Sequence, residues 1–422
     1  KSNQTSEADA DSISGGGIAV GLLETHANLT NNNTASIGAG VQLVSGGTFT
    51  LRSDSTSHAD AYSNGGSGAL IDIAQSESYA SMSDTVETTV GAGASLSATG
   101  AMIVEALRAT ELDSTAIADA GGLGCDTQTT ASGLVTSSGT TTSIGAASLS
   151  GQTLSVRAET RKLDIDVYAK SESDALGANS DASTTLSGST NADANVAAGA
   201  TLYGRDQLTL GAYQTSLHGN DTANAITNGL GGDTDPSVNF SLNTNTRVDA
   251  DAGSTFTTRN LVVEANLDTT PDMGFAAMLS GALIDTGEAN ATYSATLNRS
   301  IDFDAHVVML GAPSPELVID SAGSVLSRIN IDYQIDADGA IAVQDIANSG
   351  ALAGTLIFRI AGNGYDSGFD SHVTTQSIVR GHPQFEYITG LESVHIDNAS
   401  NRDLKIAVGG VVDVHALQAR SE

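Results

Sequence analysis

The chain has no tryptophan, one cysteine and five prolines, and aromatic residues fill only 4% of its 422 positions. The single cysteine, Cys125, excludes an intrachain disulfide framework. Its simplest role is that of a small buried or half-buried residue. Basic residues are scarce: 17 Lys and Arg stand against 49 Asp and Glu, for a formal net charge of −32. Nucleic-acid binding needs clustered cations against phosphate, so this balance argues against it. No apolar run approaches the ~18 residues of a transmembrane helix, so no membrane span is expected. The first residues are polar and acidic and carry no secretory leader pattern. The expectation is a chain that starts partway along a longer protein.

What remains is 46 Gly in a background of Ser, Thr, Ala, Asn and Asp, with only 16% of residues charged. Such a mixture often signals disorder, but a strict repeat argues otherwise. A cassette reads IGAGVQL then FTLRS (from Ile37), VGAGASL then MIVEA (from Val90), IGAASL then LSVRA (from Ile144), VAAGATL then LTLGA (from Val196), and VDADAG then LVVEA (from Val248). Its anchors Leu43, Leu96, Leu149, Leu202 and Phe256 are spaced by 53, 53, 53 and 54 residues. A fixed period of this size marks stacked repeats.

The repeat is built of strands. Leu154, Val156 and Ala158 alternate with Ser155, Arg157 and Glu159, and Leu163, Ile165, Val167 and Ala169 continue the same period of two. Gly65, Gly121, Gly177, Gly229 and Gly281 fall near the middle of each unit, dividing it into two extended halves. β-Branched residues and Gly are too common for helix. Stacking the units gives candidate core columns. One is Phe49, Met102, Leu154, Leu208, Leu261; a second is Leu51, Val104, Val156, Leu210, Val263. Two small columns follow: Ser53, Ala106, Ala158, Ala212, Ala265, and Ala39, Ala92, Ala146, Ala198, Ala250. The fold class expected is therefore all-β: a flattened β-solenoid with a unit of about 53 residues, thick where Leu and Val fill it and thin where Ala does. A unit can form one wide coil or two coils of about 26 residues. The outward residues Arg52, Glu105 and Arg157 alternate in sign, which favours the single wide coil, because opposite charges then face each other on paired strands.

Residues 1–300 carry this array, and 301–422 form a divergent, more aliphatic solenoid segment or cap. Leu310, 54 residues after Phe256, marks an eroded sixth cassette. Pro313 and Pro315 replace part of its strand. INIDYQI, AIAV, TLIFRI, SVHI and LKIAV then read as strands.

These strand–GAG–strand cassettes, with the DNASNRDLKIAV stretch from Asp397, resemble the giant bacterial exoproteins of the filamentous haemagglutinin type. The resemblance implies a long β-helical shaft that holds out adhesive regions or forms surface fibres. It implies an extracellular or cell-surface location and transfers no functional residue.

Candidate chemistry is sparse. β-Helices also house polysaccharide lyases and hydrolases, which need carboxylates converging on a groove. Here the acids are scattered. The eight His show no metal-type pair or HExxH, with His372, His382, His395 and His415 in the tail. There is no GxSxG elbow in a strand–turn–helix context. Two Gly/Asp stretches are candidate calcium ligands: LGGDTDP with Asp233 and Asp235, and GNGYDSGFD with Asp366 and Asp370. Calcium takes six to eight oxygens, and each turn would supply a few, unless both are ordinary solvated turns. Asn3, Asn28, Asn32, Asn220, Asn239, Asn290, Asn298 and Asn398 open N-x-S/T sequons, of consequence only in a glycosylating source.

The expected function is structural and not enzymatic: a segment of an extracellular fibre or adhesin shaft. Its expected partners are further repeats of a larger protein, head-to-tail copies of itself, or surface glycans. The alternative is a carbohydrate-active enzyme or polysaccharide-binding module, against which the shortage of sugar-stacking aromatics counts.

Overall fold

The computed structural model describes residues 1–269, 275–280 and 284–310, and beyond them the backbone of short strands within 317–408. The described chain is all-β and parallel. Its strands are β1 (Ser2–Ile37), β2 (Gln42–Ser45), β3 (Phe49–Val90), β4 (Ser95–Ala98), β5 (Ala101–Ile144), β6 (Ser148–Val196), β7 (Thr201–Ala250), β8 (Thr255–Thr258), β9 (Leu261–Thr269), β10 (Phe275–Ser280), β11 (Ile284–Phe303) and β12 (His306–Met309). β1 pairs with β3, β3 with β5, β5 with β6 and β6 with β7, all parallel. Each residue lies beside its counterpart one full repeat away, as in Ser2 with Ser55, Phe49 with Met102 and Leu154 with Leu208. One repeat is therefore one wide coil of a flattened β-solenoid.

Side-chain contacts across the interior give the shape of a coil. Ser63 Oγ meets Ser76 Oγ at 2.7 Å, and Ser78 Oγ donates to the Ala61 carbonyl at 2.6 Å. The chain thus folds back on itself between these residues, and the tip falls at Ala69 and Leu70. Two serine side chains touching directly bring the sheets well inside the ~10 Å usual for facing sheets. At the other end β2, β4, β8 and β12 form a short third side, where the interior is thick. There Leu96, Met102, Val104, Leu149, Leu154, Val156, Leu202, Leu208 and Phe256 make one apolar cluster.

The interior is banded. Next to the thick end lies a buried polar strip. Asn31 Nδ2 donates to Asp84 Oδ1 at 2.9 Å, and Arg108 Nη1 donates to the Asp84 carbonyl at 3.2 Å. Arg108 also bonds Thr160 and Thr190. Burial lowers the Arg108 guanidinium to about 10, with Asp84 opposing the fall. A second apolar band follows, with Ala59, Leu112, Leu163, Ile165 and Phe240. A hydroxyl band of Ser78, Ser114, Thr127, Ser171 and Ser180 comes next. A small cluster containing Cys125 then lies near the tip. Burial pushes the Cys125 thiol up to about 11.

Three of the four expected core columns stand in register as read. The fourth is corrected. Ala39, Ala92, Ala146 and Ala198 are exposed at the turn that follows β1, β3, β5 and β6, and Ala250 pairs with Val196. The buried column is Ile37, Val90, Ile144, Val196, Ala250 and Phe303. The alanine repeat is a turn signal: Gly40, Gly93 and Gly199 directly follow Ala39, Ala92 and Ala198, and with Gly253 in the next coil's turn they have φ of 70° to 87°, where only Gly sits without strain. Leu310 likewise yields its expected place to Val307, which pairs with Phe256.

At the tip, stacking is backbone on backbone. A Cβ on Gly229 would lie 1.7 Å from the Ala175 carbonyl oxygen, and one on Gly122 would lie 1.9 Å from that of Ala69. Leu70, Leu123, Leu176 and Leu230 project there, all more than half exposed. Farther along the chain the ladder changes pitch. The strand Gln334–Ala337 pairs with Arg359–Gly362, and Ile341–Gly350 pairs with Tyr365–Arg380. These are narrower steps than those of the first 300 residues.

Candidate metal centre

Strand alternation alone sets the outward chemistry of the first long face. In β6 the buried Leu163, Ile165 and Val167 alternate with Asp164 and Asp166, which must therefore point to solvent on one side. The same alternation in β3, β5 and β7 puts His58, Glu111, Asp113 and His218 on that face. Register then stacks them. His58 lies beside Glu111, Glu111 beside Asp164 and Asp164 beside His218. In the neighbouring column Glu7, Asp60, Asp113 and Asp166 follow one another, ending on Asn220.

The result is two carboxylate pairs on adjacent coils, flanked above and below by an imidazole. His218 Nε2 is 3.9 Å from Asp164 Oδ1 and 4.0 Å from Asp166 Oδ1. His58 Nδ1 is 3.6 Å from Glu111 Oε2 and 3.8 Å from Asp113 Oδ2. Lys162 bridges the middle: its Nζ is 2.9 Å from Asp164 Oδ2 and also bonds Glu111. These two partners hold the lysine charged, raising its pKa. The acids of the other column have no such cation on them. Burial pushes the Asp113 carboxyl up to about 6, and the charge of Asp166 adds to the rise. Burial also raises Asp166, with Asp164 adding, and raises Asp60 despite His58.

Among the described residues, Asp164, Asp166 and His218 are the group whose ligand atoms lie mutually within 4.8 Å, close enough to share an ion. Sequence reading missed them because the signal is split across coils. It consists of two acids at i and i+2 and an imidazole one 54-residue register step further on. That step is legible only once the pairing is known.

The expected calcium ligands are placed differently. Asp233 and Asp235 lie on β7 just past the tip, beside Asn179 and Asp181, and not in a loop. The backbone of Asp366 and Asp370 belongs to the strand Tyr365–Arg380, and their side chains fall outside the described residues. His372, His382, His395 and His415 are likewise outside the described side chains. Asp233 and Asp235 do not belong to the His218 group.

A shallow groove near the tip, about 560 Å³, is lined by Ile13, Gly66, Asp119, Glu172 and Asp174 among others. Its acids are answered from within the sheet. Lys170 pairs with Asp119 and Glu172, and Asn228 Nδ2 donates to Asp174 at 2.7 Å.

No protein-family model matches the chain, and neither does any curated protein or solved structure. The fold and the site rest on their own geometry.

Proposed function

We propose that the chain is a structural segment of an extracellular β-solenoid fibre or adhesin shaft, acting by extension and assembly. The observation that carries this reading is the continuous parallel pairing from β1 to β7, interrupted only by local one-residue slips, each coil templating the next over almost its whole circumference. Such a ladder is built to be continued. Among the described residues β1 pairs with β3 alone, so the other edge of this 36-residue strand offers the backbone donors and acceptors of every second residue to a further coil, of the same chain or of a second copy. Ile18, Val20 and Leu22 stand exposed on that coil, with Ile71 and Ile73 beside them, an apolar patch of the kind that marks contact surfaces. The strongly negative surface keeps such shafts from clumping sideways. An enzyme of the polysaccharide-processing kind is less well supported, because the acids of the tip groove are already paired with Lys170 and Asn228.

Negative-stain microscopy of the full chain tests the proposal. Blade-like particles or filaments about 65 Å wide, the span of some 20 residues of strand at ~3.3 Å each, support it. Compact particles of random outline, or turnover of acidic polysaccharides by the purified chain, overturn it.

A further inference from the structure

The geometry points to a binding site for one divalent transition-metal ion of the zinc class on the outward face of the fourth and fifth coils, held by Asp164, Asp166 and His218. Three observations lead there. The first is distance. His218 Nε2 stands 3.9 and 4.0 Å from the two carboxylate oxygens, too far for hydrogen bonds. Two metal–ligand bonds of ~2.1 Å, at angles between tetrahedral and linear, place donors about 3.4–4.2 Å apart. The second is an oriented and shielded ligand. Lys162 holds Asp164 by Oδ2 at 2.9 Å, while Asp164 Oδ1, the oxygen facing His218, is closed off from solvent and accepts no hydrogen bond. An outer partner that fixes one carboxylate oxygen and leaves the other aimed inward is how metal sites orient their ligands.

The third observation is the column itself. Several outward acids of this solenoid meet a base or an amide on the next coil: Arg52 on Glu105, Asn179 on Asp126, Gln152 on Asp206, Asn228 on Asp174. Glu7, Asp60, Asp113 and Asp166 instead stack acid on acid. Like charges directly opposite each other destabilise a sheet, and a divalent cation beside Asp166 lowers its repulsion with Asp113, adding to what the Asn220 amide beside Asp166 on the next coil supplies. Two carboxylates with an imidazole suit zinc, cobalt, nickel or manganese better than calcium, which prefers oxygen alone. The ion ties adjacent coils together, since Asp164 and Asp166 come from β6 and His218 from β7.

The test titrates the metal-stripped full chain with Co²⁺, followed by visible absorption, then repeats the titration with Zn²⁺ in competition. Expected are one tight equivalent, displacement by Zn²⁺ and not by millimolar Ca²⁺, and at least tenfold weaker binding in both His218→Ala and Asp166→Asn. His58→Ala should bind as the parent does. Circular dichroism of each metal-free variant establishes that it is folded. Absence of binding, displacement by Ca²⁺, or binding lost in His58→Ala and kept in His218→Ala would each overturn the assignment.

Discussion

Asp221 gives the sharpest test of the packing. It occupies the core column of Ala8, Ala61, Ser114 and Val167, facing inward between the two sheets, and it is fully buried. Desolvation raises its carboxyl from 3.8 to about 7, with Thr184 and the backbone of Leu186 only partly offsetting the rise. The folded chain thus holds a proton that the unfolded chain has released above pH ~4. The stabilisation is complete below the unfolded value and is lost as pH climbs through the folded one. Between pH 4.5 and 8.5 the loss is about 3 kcal/mol, at ~1.36 kcal/mol per pH unit up to the folded pKa. In Asp221→Asn this linkage disappears, so its stability should fall less over the same interval. Repeat arrays open coil by coil, so the readout is amide exchange in Leu163–Ala169 and Leu217–Ala225 under increasing urea, with chelator present. Other raised carboxyls contribute to both proteins and cancel in the difference. Equal pH slopes for the parent and Asp221→Asn would refute the placement of this carboxylate in the core.

Val156→Asp should unfold its coil at a cost of several kcal/mol, because Val156 is fully buried, while outward Ser155→Asp stays within about 0.5 kcal/mol; denaturant midpoints of the two decide it. Arg108→Ala leaves Asp84 buried without its cation and should cost about 3–5 kcal/mol, whereas Arg108→Met should cost less; thermal melts check the order. Gly229→Ala sets a Cβ into the Ala175 carbonyl and should loosen the tip between β6 and β7, seen as faster amide exchange confined to that turn. A calcium-selective chelator at constant ionic strength should leave the melting temperature unchanged, and a fall would support calcium binding by Asp233, Asp235, Asp366 or Asp370.

Much of the architecture is legible in the residues because a solenoid repeats its own errors and its own rules. The anchors Leu43, Leu96, Leu149, Leu202 and Phe256 stack as their spacing demands, and the sign alternation of Arg52 and Glu105 reappears as a hydrogen bond between coils. Two things were hidden. Ala39, Ala92, Ala146 and Ala198 look like a core column because Ala carries no sign of which way it faces, and only the left-handed glycine beside most of them reveals a turn. The metal centre was hidden because its register is not constant: the pairing slips near Arg108, Gly151 and Gln214. A fixed offset of 53 therefore misses the imidazole that lies beside Asp164. Asp221 was readable in principle, since it continues the buried alternation of Ala223 and Ala225.

The width of a single coil has a mechanical consequence. Each coil uses about 53 residues to advance ~4.8 Å, so length costs this chain about 1,100 residues per 100 Å, far more than a narrow helix of strands would need. What the wide section returns is directional stiffness. For a beam of rectangular section the ratio of bending rigidities in the two planes is the square of width over thickness. With a span of about 65 Å and sheets less than about 10 Å apart, that ratio is of order 40. A shaft made this way would flex readily across its flat faces, like a blade, and resist bending edgewise. The buried strip of Arg108, Asp84 and Asn31 runs along its length as an internal seam.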